Sequence, residues 1–348
     1  MIKTPKIFYN CLMKYLGYSK SLQSNTNKII QLSWFIIMEI YLSNLIYIIN
    51  QSQHEYFQYS SNFIVLVLIF MGFVAYYILF FLPKWSNSEH LRIIVQSEYS
   101  EIYYFTLLRL ELLFIFVVFP TIIYILISLS NENDVSFNIL KVLVLPFMFN
   151  IYNMIILLIS FQISITKYTC NKIGKYLDQV EHILIEKSNQ PIMMEICKHQ
   201  QPIEKWCRSV NGLMSRHFGV FLSTFTLFGG ITLIKIFSTS ELTTEKYFDM
   251  CSIFFYFGMS ILVLYHLTFW NSIFQKKTEE WNVRGDIIPN IVRNFGTVQS
   301  FEKWLENHEC HAVRIFEDGI RINQNFYKKC IAIFCSLCTF LISYITNY

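Results

Sequence analysis

Five hydroxyl or amide side chains, Ser336, Thr339, Ser343, Thr346 and Asn347, fall within the last apolar stretch of the chain, residues 326–348. Successive residues of a helix turn by about 100°, so these five share an arc of roughly 100°. Lys329 lies under the same arc, at its N-terminal end. Neutral hydroxyls and amides can hydrate a passing ion without holding it. Lipid offers them no hydrogen bond, whereas a water-filled path does. The same residue types also let membrane helices pack closely, or bond back to their own helix. On this stretch alone, packing is the commoner use.

Other chemistry-bearing groups are sparser. His308-Glu309-Cys310-His311 has metal-binding residue types, but it is not the His-Glu-x-x-His spacing. His308 and Cys310 point different ways on a helix, and four ligands from one tight run seldom close a tetrahedron, so no metal is expected. No Ser-His-Asp set, phosphate loop or dinucleotide fingerprint occurs, so neither an enzyme nor a cofactor is expected. Glu39 lies mid-way along an apolar run, where a buried acid costs about 2.5–3.5 kcal/mol and is expected to be protonated or bonded to a neighbouring helix. Arg109 and Glu111 open another run and are expected to snorkel or pair locally, while Asn150 and Asn153 are expected to bond between helices.

The elements that must position these groups follow from composition. The 348 residues are 54% hydrophobic and only 15% charged, which excludes an ordinary soluble domain and points to a polytopic membrane protein. The formal charge of +4 is too small to suggest a nucleic-acid partner. Seven apolar spans are expected, near 29–50, 63–82, 105–129, 137–165, 218–237, 247–270 and 326–348, each at least 20 residues long. The fold class is therefore all-α, with seven transmembrane helices in one membrane domain, 1–348. The first span is expected to stay as an uncleaved anchor.

Basic residues orient it. Segments 1–28, 83–104, 166–217 and 271–325 hold 22 of the 28 Lys and Arg, and Lys328 and Lys329 adjoin the last of them. Segments 51–62 and 131–136 have none, and 238–246 has Lys246 alone. The amino terminus is thus expected in the cytoplasm and the carboxyl terminus outside. A G-protein-coupled receptor has the reverse orientation, and its usual motifs on helices three and seven are missing. Of nine cysteines, only Cys251 lies near the expected outer face, so no structural disulfide is expected there.

The inner segments 166–217 and 271–325 carry helical spacing: Ile173, Tyr176, Leu177, Val180, Ile183 and Leu184; then, after Pro202, Ile203, Trp206, Val210, Leu213 and Met214; then Phe301, Trp304 and Leu305. They are expected to form cytoplasmic helical extensions of spans four, five and seven. These would pack below the membrane, within a subunit and between subunits.

Three stretches are similar to the insect gustatory receptor family, the wider group that includes the odorant receptors. Thr339-Phe340-Leu341-Ile342-Ser343-Tyr344-Ile345-Thr346 resembles that family's terminal Thr-Tyr, five apolar residues, Gln-Phe. Phe340 stands for the Tyr, Thr346 for the Gln and Asn347 for the Phe, and Ser343 interrupts the apolar five. Val313–Asn323 resembles the apolar-Gly stretch before the last helix, and Val210-Asn211 through Phe218-Gly219 resembles the entry to the fifth span.

The resemblance implies a chemoreceptor of the plasma membrane. It would be a ligand-gated, weakly selective cation channel of four subunits, homo- or hetero-tetrameric. Ser336, Thr339, Ser343, Thr346 and Asn347 would line its pore, and Leu341 and Ile342 are the gate candidates. Its partners would be membrane lipid and a small-molecule ligand whose identity is not encoded legibly. Tyr124, Phe149, Tyr152, Phe254 and Phe255 are the ligand-pocket candidates. The alternative is a non-conducting protein of the same fold, serving as scaffold, partner subunit or ligand binder. A transporter would show broken helices in matching halves, and Gly229-Gly230 is the single such break.

Overall fold

The computed structural model describes residues 3–20, 22–51, 72–74, 76–77, 88–131, 135–186, 192–238, 244–307, 322 and 324–346. In chain order they form α1 (Lys3–Tyr15), α2 (Ser24–Gln51), α3 (Glu89–Gln96), α4 (Ser100–Asn131) and α5 (Val135–Glu186). There follow α6 (Ile192–Ser238), α7 (Thr244–Val283), α8 (Ile288–Phe295), α9 (Val298–Asn307) and α10 (Gln324–Thr346). No strand occurs among the described residues.

Segments 29–50, 105–129, 137–165, 218–237 and 247–270 each lie inside one of these helices, whereas most of 63–82 falls outside the described residues. Two stretches among the described residues are long and apolar enough to cross a membrane, Tyr152–Ile185 and Gln324–Tyr344. The most apolar part of the first is 89% buried, and that of the second only 6%. One is a core helix; the other is open along most of its circumference.

The chain divides into two units. In the first (Met1–Phe161, Thr224–Phe257 and Ser343–Tyr348), α1 buries Tyr9, Leu12, Met13 and Leu16, a single stripe at helical spacing. Tyr9 meets the rings of Tyr103 and Tyr104 on α4 at 5.6 and 5.2 Å. α1 stops at Gly17, whose φ of +77° is open to glycine at little cost. There the Tyr18 N–H donates to Met13 O (2.8 Å) and the Gly17 N–H to Lys14 O (3.1 Å), closing the helix end on its own carbonyls.

The next helix then reaches back to that turn. Gln31 Nε2 donates to Gly17 O (2.6 Å), Asn27 Nδ2 to Ser19 O (2.7 Å) and Trp34 Nε1 to Tyr15 O (3.2 Å). A Cβ on Gly17 would sit 2.9 Å from Asn27 O, against backbone that cannot yield. Gly17→Ala is therefore expected to lower the stability of this hairpin by about 1–2 kcal/mol, read as a lower unfolding temperature of the purified protein. An unchanged temperature would mean that the turn relaxes.

The second unit (Gln162–Ser223 and Gly258–Ile342) is organised on the C-terminal part of α5, where Ile173, Tyr176, Leu177, Val180, Ile183 and Leu184 are all buried. Glu181 gathers donors from the end of α7 and the residue that follows it: Trp281 Nε1 at 3.2 Å, Lys277 Nζ at 2.8 Å and the Arg284 guanidinium. Lys277 also pairs with Asp178 (3.2 Å), and Asn290 on α8 donates to Leu184 O (2.6 Å). The hydrogen bond to Glu181, with that to Asp178, holds the Lys277 ammonium above its ordinary pKa. Trp281 and Phe295 both stack on Phe301 of α9, at 5.6 and 4.6 Å.

α6 is attached through Trp206, which donates to Thr169 Oγ1 (3.1 Å) and carries Lys172 Nζ 4.2 Å over its ring. Val210 and Met214 are buried as their spacing requires, and Ile203, Trp206 and Leu213 are half-buried. Pro202 does not begin this helix. α6 runs through it from Ile192, with the Pro on the exposed side, where its missing N–H leaves no buried acceptor unpaired.

Candidate functional site

α10 is a single helix whose two sides differ. Tyr327, Cys330, Phe334, Leu337 and Tyr344 are half-buried, and Leu341 is fully buried. On a wheel centred on Ser336 these positions lie at roughly 80–180°. Two ring contacts fix that side: Tyr327 against Tyr265 of α7 at 5.9 Å, and Tyr344 against Phe237 of α6 at 5.3 Å. Ser336, Thr339 and Ser343 are exposed on the opposite side, with Lys329 below them. The polar arc is therefore not the face by which this helix packs within its own chain.

Thr339 Oγ1 donates to Cys335 O at 2.9 Å. Its proton is satisfied inside the helix, so outward it presents oxygen lone pairs and a methyl group. Ile333 and Phe340, 68% and 56% exposed, flank the arc on one side, and Ile342 (55%) on the other. Of the two gate candidates, only Ile342 is open to the outside, because Leu341 is 0% exposed. Consecutive helical residues differ by about 100°, so the pair cannot share a face. The Thr346 side chain and Asn347 lie outside the described residues.

The aromatic positions are not assembled into one pocket by the described residues. Tyr152 packs on Phe114 with ring centroids 4.7 Å apart, and Phe254 is half-buried. Tyr124, Phe149 and Phe255 lie outside the described side chains, as do 308–321, which contain the His-Glu-Cys-His run and most of the Val313–Asn323 stretch. No cluster of three or more metal-ligating residues occurs among the described residues.

Depth along a span and burial prove to be different things. Glu39 is exposed on α2, beside the fully buried Met38, so it does not lie on the side by which α2 packs within the chain. Glu111 is the buried one, 3% exposed, and its Oε1 has no hydrogen-bond partner among the described residues. Asn150 and Asn153 are buried too. Asn150 Oδ1 and both amide atoms of Asn153 lack partners there, so the expected bond between helices is not made by Asn153.

The chain matches no protein-family model, no curated protein and no solved structure.

Proposed function

We propose that this protein is a chemoreceptor of gustatory-receptor type, a ligand-gated and weakly selective cation channel of the plasma membrane. In this reading seven helices cross the bilayer, the amino terminus is cytoplasmic, and α10 from each of four subunits surrounds a central path. One observation carries it: Ser336, Thr339 and Ser343 are exposed on the side of α10 opposite its packed face. Even a hydroxyl whose proton is given inside its own helix, as that of Thr339 is, turns oxygen lone pairs outward, and hydrocarbon offers these nothing while water does. Four copies around an axis would supply it, as rings that hydrate a cation weakly.

The second reading, a non-conducting protein of the same fold, draws on Lys329. It is exposed on the same arc, so four copies would set a positive ring at the inner mouth and repel cations. One experiment separates the two. The protein is expressed in cultured cells with an extracellular-label tag at its carboxyl end, and candidate small molecules are applied during whole-cell recording. The channel reading expects tag labelling on intact cells, a four-subunit particle after extraction, and ligand-evoked cation current. Tetramers that never conduct would favour the second reading. A tag reached only after permeabilisation would overturn the topology common to both.

A further inference from the structure

We propose that a cavity between α5 and α7 holds the phosphate head of an anionic membrane lipid. The cavity has a volume of about 340 Å³ and lies wholly within the second unit. α5 lines it with Lys167, Asn171 and Gly174, and α7 with His266, Phe269 and Ile273, both sets at helical spacing on facing sides. Gly174 opens the space: a Cβ placed there would just touch Ile273 Cδ1, at 3.9 Å.

The lining sorts by chemistry. Lys167, Asn171 and His266 offer N–H donors, and no acidic residue among the described residues contributes to the wall. Thr166 does not add a donor, because its hydroxyl is already given to Gln162 O at 2.7 Å. Lys276 is not part of the wall, but its Nζ lies 5.2 Å from the ring of Phe269, which is. A lysine beside further N–H donors, with no carboxylate among the described wall residues, suits a polyanionic oxygen cluster such as a phosphate. The rest of the wall, Cys170, Gly174, Phe269 and Ile273, is largely apolar and suits hydrocarbon rather than a free ion.

Position points the same way. The cavity sits where spans 137–165 and 247–270 end and the basic inner segments begin, the level of an inner-leaflet headgroup. That placement rests on the topology proposed above, but the binding chemistry does not require a conducting pore. Basic pockets between helices at this level take up phosphoinositide-like heads.

The test uses the purified full chain in detergent and a fluorescent short-chain phosphatidylinositol 4-phosphate, with phosphatidylcholine of equal chain length as the neutral probe. The native protein is expected to prefer the phosphorylated lipid at least tenfold. Lys167→Glu should abolish that preference, whereas Lys175→Glu, the same charge change at an exposed site on the same helix, should leave it within twofold. Water-soluble inositol 1,4-bisphosphate should compete only at concentrations about a hundredfold higher, since it cannot cover Phe269 and Ile273. If Lys167→Glu does not fold, Lys167→Gln and the cavity-filling Gly174→Leu carry the same comparison.

Equal binding of the two lipids, or equal loss in the Lys167 and Lys175 variants, would overturn the site. Equal competition by the soluble headgroup would replace lipid with a free phosphate ester and overturn the proposal as stated. Because no current is measured, a chain that binds the lipid but never conducts keeps this site and loses only the channel.

Discussion

Cells expressing Ser343→Leu are expected to carry at most about a tenth of the parental ligand-evoked current at equal surface expression, because in the proposed channel a wet ring would become a hydrophobic constriction. Ser343 is exposed near the C-terminal end of α10, about 20° from Ser336 on the wheel. The outcome discriminates among three surroundings. Facing lipid, the change would be neutral or mildly favourable, since Leu inserts at about −0.3 to −0.6 kcal/mol on translocon-based scales. Facing a neighbouring subunit's helix, it would disturb assembly, and the four-subunit particle would be lost along with the current. Facing water in a pore, it removes conduction and leaves the particle intact.

Thr339→Leu, on the same arc, should likewise lower the current, because it replaces the outward lone pairs of a hydroxyl bonded to Cys335 O with a bulky apolar side chain. Unaltered current in both variants, in a chain that otherwise conducts, would take the arc out of the ion path.

The relative angles of Ser336, Thr339 and Ser343 were legible because a helix has one period, whatever surrounds it. Which side of α10 packs was not, since that depends on Tyr265 and Phe237, 62 and 107 residues away from the rings they meet. The buried stripe on the end of α5 was also legible, from Ile173 to Leu184, as an uninterrupted set at helical spacing. α1 shows the opposite. Tyr9, Leu12, Met13 and Leu16 have the same spacing, but five lysines in the first 28 residues read more strongly as an inner tail than as a packed helix.

That Glu111 rather than Glu39 is covered within the chain was not legible for a related reason. Hydropathy along a span reports depth, whereas burial is set by which helix lies alongside. The helical spacing read after Pro202 also left open that α6 begins ten residues before it, at Ile192. The ring of Pro202 fits inside a helix when it faces outward, as here. The cavity at Lys167 and His266 joins positions 99 residues apart, and no local pattern in either helix announces the other.

The largest loss of stability is expected from Trp281→Ala. Trp281 is 1% exposed, stacked on the fully buried Phe301, and its Nε1 is a donor to Glu181. Removing an indole from such a site costs about 3–5 kcal/mol through lost burial and the cavity left behind. The polar side adds less, because Glu181 keeps Lys277 and Arg284 as donors. Trp281→Phe should therefore cost far less, about 1 kcal/mol for the hydrogen bond, plus whatever volume the smaller ring leaves empty.

The damage should be local, in α7–α9, where Arg284 and the exposed Arg293 flank the packed aromatics. A loss of about 4 kcal/mol raises the opened population of a locally unfolding unit roughly a thousandfold when opening is fast relative to cleavage. Trypsin should then cut Trp281→Ala at Arg284 or Arg293 under conditions that leave the parent and Trp281→Phe intact. If Trp281→Ala resists as well as the parent, the three aromatics do not hold this region together. The contacts of Glu181 and Asn290 with α5 would then have to account for its order by themselves.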